Sequence, residues 1–398
     1  MLLVGPTYVK MEKKRMKKHF GWVGVVTLLS ISFLAEIPEV NACTRIFWNT
    51  NPGLMIVGRN EDYVTASHPT FVASPRGIKR WGTSDEGKRA KSISWTVKYG
   101  NVASYANNRF PNDGMNEAGL TARTLFYVDG KPNELVSPDS NKKELDEDHW
   151  VSFVLDNFAT VADAVKAIRN EVYIVSVTGK RGSGFSYATP KHLAIADATG
   201  DSAIIEIEDG KVAIFHGSEY RILTNPPSYQ KELDNAAKYK NVKQDKLPVS
   251  WSASDRFVRS DFFLRHLPNP RNNDAPTAYG FMYSALATSM MPAGLPAPAE
   301  DVDVVKKLVA TLKDPDETYG GAATYFQTIS DLTNKHYRFK SLVAPSDVFF
   351  DFEGYNFAEG QPVKLIKRID LYAQKGWAGD VIPHLVEIDG DIYDQPIE

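Results

Sequence analysis

The sequence contains a single cysteine, Cys43, in 398 residues. One cysteine cannot form an internal disulfide, so the folded chain has to be stabilised by the packing of its core. It also excludes a zinc site built from several thiolates, and the eight histidines show no metal-binding spacing such as His-Glu-x-x-His. We therefore expect neither a metal nor another cofactor.

A strong charge of one sign is absent as well. Lys and Arg number 46 against 49 Asp and Glu, and the two signs are well mixed along the chain. The formal net charge of -3 argues against nucleic acid or an acidic membrane surface as the main partner. After residue 42, no apolar run approaches the length that a transmembrane helix needs.

Residues 1–42 have the composition of a secretory signal peptide. A basic stretch precedes an apolar run at 20–35, and the polar segment EIPEVNA follows. The apolar run is too short to span a bilayer comfortably, so we expect no stable membrane anchor. Val40 and Ala42 stand where signal peptidase requires small residues, which predicts cleavage after Ala42 and export to the periplasm or exterior of a bacterial cell. Residues 43–398 contain no repeat or linker and are predicted to form a single domain.

The position of Cys43 leaves three explanations: a core residue, a lipid attachment site or a nucleophile. The tetrapeptide VNAC resembles a lipobox, but Asn41 is polar where a small residue is favoured, and no flexible tether follows the cysteine. As a new N-terminus, Cys43 would carry its own base, because an α-amine titrates at about 7.7–8.0 and a thiol at about 8.5. One residue then supplies nucleophile and general base, as in the N-terminal nucleophile hydrolases.

Hydrophobic periodicity predicts blocks of strands alternating with helices. Strands are expected within 43–48, 53–63, 93–106, 119–128, a meander at 192–216, a hairpin at 323–341, 347–352 and 363–371. Helices are expected at 148–158, at 160–172 with Thr160 as N-cap, and at 228–239, 255–267, 277–291 and 303–312. This order favours a layered α+β protein with two sheets inside and helices outside.

Five short motifs follow one another in register with Cys43. They are TRIFW directly after Cys43, GRNEDY at 58–63, DGMNEAGL at 113–120, LTNPP at 223–227 and SDRFVR at 254–259. Together they resemble the choloylglycine hydrolases, which include conjugated bile salt hydrolases and penicillin V acylases. The resemblance runs across most of the mature chain. It implies a four-layer αββα sandwich of the N-terminal nucleophile hydrolase type, with two antiparallel sheets between helix layers.

The resemblance also implies catalytic roles for five residues. Cys43 corresponds to the nucleophile and its amine to the base. Arg59 and Asp62 match the pair beside the cysteine, where Asp62 can hold the ammonium and Arg59 can favour the thiolate. Asn225 matches the asparagine that stabilises the oxyanion, and Arg256 matches the arginine that supports the same site.

One position departs from the family pattern. Phe126, followed by Tyr127, stands where bile salt hydrolases carry an asparagine that contributes to the oxyanion hole. An aromatic ring cannot donate, so we expect a backbone N–H near Phe126 as the second donor. Phe126, Tyr127, Tyr63 and Phe71 are expected to contact the substrate.

These observations predict an exported amidohydrolase that cleaves a linear N-acyl amide through a thioester on Cys43. The loss of asparagine at Phe126 favours a penicillin V acylase-like enzyme over a bile salt hydrolase, and an acyl-homoserine lactone acylase is a further alternative. The alternative outside enzymes is a lipid-anchored binding protein. The segment between Asn225 and Arg256 is shorter than in bile salt hydrolases, where it helps to build a tetramer, so the oligomeric state stays open and includes a homo-oligomer.

Overall fold

A computed structural model describes residues 43–63, 69–82, 92–106, 110–127, 142–175, 191–208, 211–294, 323–342, 344, 346–369 and 378–394. The predicted leader at 1–42 and the predicted helix at 303–312 lie outside these residues. Within the described residues, no helix combines the length and apolar character that crossing a bilayer requires.

Two large sheets dominate the structure, with strands numbered along the chain. The first contains seven strands in the order β14 (Ile222–Leu223), β1 (Thr44–Trp48), β2 (Ile56–Tyr63), β15 (Ala323–Asp331), β16 (His336–Ser341), β17 (Val348–Asp351) and β19 (Gly379–Asp380). All neighbouring pairs in it are antiparallel except β17 with β19. The chain returns for β14 and β15 long after β1 and β2, so this sheet joins distant parts of the sequence.

The second large sheet contains nine strands and is antiparallel throughout. Its order is β13 (Lys211–His216), β12 (Ser202–Glu208), β11 (Lys191–Ala196), β8 (Thr121–Phe126), β7 (Phe110–Asn116), β6 (Asn101–Ala106), β3 (Thr70–Ser74), β18 (Val363–Ile366) and β20 (Val386–Ile388). Two small pairs complete the strands: β4 (Lys79–Trp81) with β5 (Ser94–Thr96), and β9 (Lys143–Asp146) with β10 (Val172–Val175).

The α-helices are α1 (Trp150–Asn157), α2 (Val161–Asn170), α3 (Tyr229–Lys238), α4 (Ala253–His266) and α5 (Ala275–Ala287). Short 3-10 turns lie at Glu147–His149, Gln244–Lys246, Arg271–Asn273, Ile382–His384 and Ile392–Asp394. Thr160 caps α2 as predicted, since its side chain accepts a hydrogen bond from the Asp163 backbone N–H. Ser252 caps α4 in the same way through Asp255. Most predicted elements are confirmed with shifts of a few residues at their ends. The predicted strand segment 93–106 divides into β5 and β6 of different sheets, and β3, β4, β7, β9, β10 and β20 were not predicted.

Three apolar clusters hold the layers together, and β1 shows why. Successive side chains of a strand point to opposite faces. Phe47 therefore enters the cluster between the two sheets, whereas Ile46 and Trp48 enter a cluster with the helices α3 to α5. A third cluster packs α1 and α2 against the nine-stranded sheet. The resulting order of helices, sheet, sheet and helices confirms the predicted four-layer α+β sandwich.

Close packing of helix α5 on β2 depends on a glycine. A Cβ built on Gly58 would lie 2.7 Å from the Met282 sulfur and 3.0 Å from a Leu286 methyl carbon. Because real side chains do not approach so closely, only glycine allows α5 to sit this near to the strand. Gly58 directly precedes Arg59, so the same contact fixes the strand segment that reaches Cys43.

Candidate active site

Cys43 lies immediately before β1, and pairing of β1 with β2 brings it to residues 59–62. Thr44 is paired with Asn60 and Arg45 with Arg59 in the antiparallel register. Cys43 Sγ lies 3.7 Å from Glu61 Oε2 and 3.7 Å from the Asp62 carbonyl oxygen. Arg59 Nη2 lies 3.8 Å from the same sulfur. The cysteine is 5% exposed, so this environment shields the thiol from bulk water.

Arg59 is buried and held on two sides. Its Nη1 donates to the Asn112 carbonyl oxygen at 2.6 Å, and its Nη2 forms an ion pair with Glu61. Asp113, on β7 of the other sheet, is 3.9 Å from Nη1. Burial alone would lower the pKa of Arg59, but the charges of Glu61, Cys43 and Asp113 outweigh it and raise this pKa above its ordinary value. Arg59 therefore stays charged beside the sulfur.

The Cys43 thiol is not acidic in the uncleaved chain. Burial raises its pKa to about 12, with a further rise from the charge of Glu61, while Arg59 opposes the shift. A thiolate is the nucleophilic form of cysteine, so at neutral pH the buried thiol needs a base close by. The free α-amine of a cleaved chain would be such a base.

Asp62 presents its backbone, not its carboxylate, to the sulfur. The Asp62 side chain is on the other face of β2, where Oδ1 accepts a hydrogen bond from Thr324 Oγ1. Its Oδ2 is buried and has no hydrogen-bond partner among the described residues. Burial raises the pKa of Asp62 to about 7, against the charge of Arg256. This carboxylate has an oxygen free to accept from a nearby cation.

Arg256 connects helix α4 to the start of β1 and to Asn225. Its Nη1 donates to the Cys43 carbonyl oxygen at 2.8 Å and to Thr44 Oγ1 at 2.7 Å. Its Nη2 donates to Asn225 Oδ1 at 3.2 Å, and its Nε donates to the Trp251 carbonyl oxygen at 3.1 Å. One buried guanidinium thus fixes both the cysteine backbone and the orientation of the Asn225 amide.

The Asn225 amide is aimed at the end of β8. Asn225 Nδ2 donates to the Phe126 carbonyl oxygen at 2.8 Å. A side-chain amide has two N–H donors, and this bond uses one of them. The carbonyl of Phe126, an acceptor, is the group that faces Asn225. The N–H of a trans peptide points away from its carbonyl, so the Tyr127 N–H is turned away from this amide. The predicted backbone donor near Phe126 stays a prediction.

The four aromatic residues expected to contact substrate occupy two kinds of position. Phe126 and Tyr63 are half-buried at strand ends. Phe71 is 1% exposed and packs between the sheets, with its ring centroid 5.4 Å from that of Tyr337. Tyr127 is also 1% exposed and stacks on His192 with centroids 5.0 Å apart. The expectation for these two is corrected, because their rings are enclosed by the protein itself.

Sequence reasoning missed Glu61. This carboxylate contacts both Arg59 and Cys43 Sγ, and its Oε1 accepts from Asn112 Nδ2 at 2.9 Å. The signal was present, since residues 59 and 61 lie on the same face of a strand and residue 62 lies on the opposite face. A bulge in β15 between Thr324 and Phe326 lies directly opposite this segment.

No group of metal-binding side chains was found among the described residues.

These features are those of an N-terminal nucleophile hydrolase: a helix–sheet–sheet–helix sandwich with a cysteine at the start of a central strand, surrounded by arginine, aspartate and asparagine. The model of the choloylglycine hydrolase family, described as linear amide C–N hydrolases, matches residues 43–342. The chain belongs to the choloylglycine hydrolase family of linear amide C–N hydrolases. This confirms the predicted class of enzyme.

The proteins that are similar to this chain are named as penicillin V acylases or as bile salt hydrolases. Penicillin V acylase from Pectobacterium atrosepticum is 32% identical over 337 residues, covering 80% of this chain and 82% of the acylase. A bile salt hydrolase/transferase from Clostridium perfringens is 26% identical over 212 residues, covering 52% of this chain and 60% of that protein. The solved penicillin V acylase from Agrobacterium tumefaciens has a TM-score of 0.68 at 29% identity and covers 87% of this chain and 98% of its own. A conjugated bile acid hydrolase variant from Clostridium perfringens shares the fold, with a TM-score of 0.63 at 20% identity over 82% of this chain and 96% of that structure.

Proposed function

We propose that Cys43 is the N-terminal nucleophile of an exported acylase that cleaves penicillin V or a related linear amide with an aromatic or fatty acyl group. The observation that carries this proposal is the convergence on one cysteine of two arginines from different elements. Arg59 reaches the sulfur from β2, and Arg256 binds the Cys43 carbonyl from α4. A cysteine that only fills the core would not require two buried arginines around it.

Removal of residues 1–42 by signal peptidase is the activating step in this proposal. Cleavage creates the α-amine of Cys43, which titrates near neutrality at about 7.7–8.0 and can take the thiol proton. The buried Oδ2 of Asp62 would accept from the resulting ammonium. The match to the family begins at Cys43, which supports this processing site. The composition of the predicted leader supports export of the mature enzyme to the periplasm or outside the cell.

Acylation of Cys43 and hydrolysis of the resulting thioester then follow. The Cys43 proton moves to the α-amine, the thiolate attacks the amide carbonyl carbon, and a C–S bond forms. The carbonyl oxygen becomes an oxyanion that the second N–H of Asn225 stabilises. The C–N bond breaks as the ammonium returns its proton to the leaving nitrogen. Water, deprotonated by the amine, then attacks the thioester carbonyl carbon; the C–S bond breaks, the acid is released, and the ammonium returns its proton to Sγ.

The proposed substrate class is supported by similarity to a penicillin V acylase and by the aromatic residues Phe126 and Tyr63. The relative that is 32% identical is a penicillin V acylase. Half-buried Phe126 and Tyr63 lie at strand ends and would offer apolar surface to an aryl or alkyl acyl group; Tyr63 directly follows Asp62, whose carbonyl oxygen is 3.7 Å from Cys43 Sγ. Asn225 Nδ2 donates to the Phe126 carbonyl oxygen, so the proposed oxyanion donor is hydrogen-bonded to one of the two residues proposed to contact the acyl group.

The proposal is tested with the mature protein beginning at Cys43. It is offered penicillin V, a glycine-conjugated bile salt and a long-chain acyl-homoserine lactone, with Cys43→Ala as the matched control. We expect cleavage of penicillin V that the variant abolishes. Retained cleavage in the variant would remove Cys43 from the mechanism, and preference for another substrate would reassign the acyl group.

Intact mass separates the proposal from the lipid-anchored alternative. A nucleophilic Cys43 has no added mass in the exported protein. A lipoprotein cysteine carries fatty acyl chains, adding several hundred daltons. Detection of that mass would refute the proposed N-terminal amine as a base, because lipoprotein processing acylates it.

A further inference from the structure

Glu61 places a carboxyl group beside the proposed nucleophile; burial raises its pKa, and the charge of Arg59 opposes this shift and favours the carboxylate. Its Oε2 lies 3.7 Å from Cys43 Sγ, and its side chain is 10% exposed, compared with 2% for Arg59. Both carboxylate oxygens are held: Oε2 by the Arg59 ion pair and Oε1 by Asn112 Nδ2 at 2.9 Å. Glu61 is therefore fixed at the sulfur, and its side chain is less completely enclosed than that of Arg59.

The ion pair with Glu61 limits the ability of Arg59 to bind a carboxylate of the substrate. An arginine beside the nucleophile is a natural partner for a carboxylate, because its fork of donors matches two oxygens. Here the two Arg59 Nη atoms face Glu61, the Asn112 carbonyl and the sulfur, and its Nε is buried without a hydrogen-bond partner among the described residues. Glu61 is thus the carboxylate that Arg59 binds, in the place that a substrate carboxylate would otherwise take.

The other arginines described in this region are also bonded within the protein. Arg123 pairs with Asp113 at 3.0 Å. Arg256 donates to the Cys43 carbonyl, Thr44 and Asn225. Asp62 adds a carboxyl group on the opposite face of β2. A substrate anion close to the scissile bond would meet Glu61 before it met an available guanidinium.

We propose that Glu61 is a specificity-determining residue that selects amides whose amine part is neutral or cationic next to the scissile nitrogen. The attacked carbonyl carbon becomes bonded to Sγ, so the carbon attached to the leaving nitrogen lies close to Glu61. A carboxylate on that carbon is repelled, because like charges juxtaposed in a poorly solvated site are strongly unfavourable. In penicillin V the carboxylate is several bonds farther from the scissile nitrogen, so the repulsion there is weaker. The inference rests on the proposed role of Cys43.

The test uses two substrates that differ only in charge. N-phenoxyacetylglycine carries a carboxylate on the carbon bonded to nitrogen, and N-phenoxyacetylglycinamide replaces it with a neutral amide. We expect mature wild-type enzyme to favour the neutral substrate in kcat/KM. Glu61→Gln should reduce this preference roughly tenfold, mainly through faster turnover of the anion.

Glu117→Gln is the matched control. Glu117 also pairs with an arginine, since it accepts from Arg76 Nε at 2.7 Å and from the Gly100 backbone N–H at 2.6 Å, so the same chemical change is made at an arginine–glutamate pair elsewhere in the fold. The preference ratio in this variant should equal that of wild type. A ratio that changes equally in both variants, or that Glu61→Gln leaves unchanged, overturns the inference, while Cys43-dependent cleavage of either substrate leaves the proposed function standing.

A third substrate tests the role of Glu61 in the wild-type enzyme, without any variant that could fail to fold. The mono-phenoxyacetyl amide of ethylenediamine carries a cation near the scissile nitrogen. Wild-type enzyme should cleave the cationic and neutral amides faster than the anionic one. The reverse order would refute the role of Glu61, and no cleavage of these substrates or of penicillin V would refute the proposed function as well.

Discussion

Arg256 and Cys43 are 213 positions apart in the sequence, and the guanidinium of one binds the carbonyl oxygen of the other at 2.8 Å. The same side chain orients Asn225 through its Oδ1 at 3.2 Å. The proposed nucleophile and the proposed oxyanion donor are therefore positioned by one residue of helix α4. Their relative geometry depends on how this helix packs on β1.

Arg256→Lys should reduce kcat with a smaller change in KM. Lysine keeps the charge but cannot bind Cys43, Thr44 and Asn225 together, and the loss of one oriented oxyanion donor lowers kcat by about 10²–10³-fold. Steady-state kinetics on penicillin V measure this. Arg265→Lys is the control, because Arg265 is on the same helix and pairs with Asp261 at the surface. Equal kinetics in the two variants would exclude the positioning role.

Asn225→Ala should leave binding nearly intact and lower kcat by about 10²–10³-fold. The amide donor acts on the oxyanion, which exists only after attack. The substitution also removes the hydrogen bond to the Phe126 carbonyl, so circular dichroism and the melting temperature are measured beside the kinetics. A folded variant with wild-type kcat would show that Asn225 is not an oxyanion donor.

The uncleaved chain should lose stability as pH rises through the range in which Asp62 ionises. Burial raises its pKa from 3.8 to about 7. The folded state then keeps a proton that the unfolded state has released, so the free energy of unfolding falls with rising pH across this interval. Asp62→Asn should flatten the pH dependence of the melting temperature. The effect should shrink in the mature chain, where the Cys43 ammonium can pair with Asp62; identical curves for both chains would contradict the predicted contact.

Cys43 in the uncleaved chain should react slowly with iodoacetamide at pH 8. Burial raises its pKa to about 12, so very little thiolate is present. Release of the α-amine should increase the labelling rate at least tenfold, since about 1.4 kcal/mol of stabilisation of the thiolate suffices for that factor. The single cysteine makes the mass shift unambiguous. Equal rates before and after cleavage would argue against the amine as the base.

Gly58→Ala should destabilise the fold by about 1–3 kcal/mol, because the new methyl group overlaps Met282 on α5. Gly280→Ala is the matched control. Gly280 lies within the same helix, α5, and an added Cβ meets nothing within 4 Å. That substitution should be neutral or stabilise by up to about 1 kcal/mol, because alanine favours a helix over glycine. Urea unfolding measures both, and equal effects would contradict the close approach of α5.

Local patterns were sufficient for much of the fold. The alternation in TRIFW reads as a strand with two apolar faces, and Thr160 before an amphipathic run reads as a helix start, because both signals depend only on neighbouring residues. The single cysteine and the ordered motifs behind it identified the family. Strand periodicity could also have placed Glu61 on the same face as Arg59, but the sequence does not show what that face meets.

Tertiary structure alone decided which of these residues meet. It enclosed Phe71 and Tyr127 and turned the Asp62 carboxylate away from the sulfur. It also brought Arg256 and Asn225 to Cys43. The physical reason is the range of the interactions. Hydrophobic period and capping act over a few residues, whereas burial, ion pairing and the contacts of the site are set by packing between elements far apart in the chain, by 262 positions in the contact of Asp62 with Thr324.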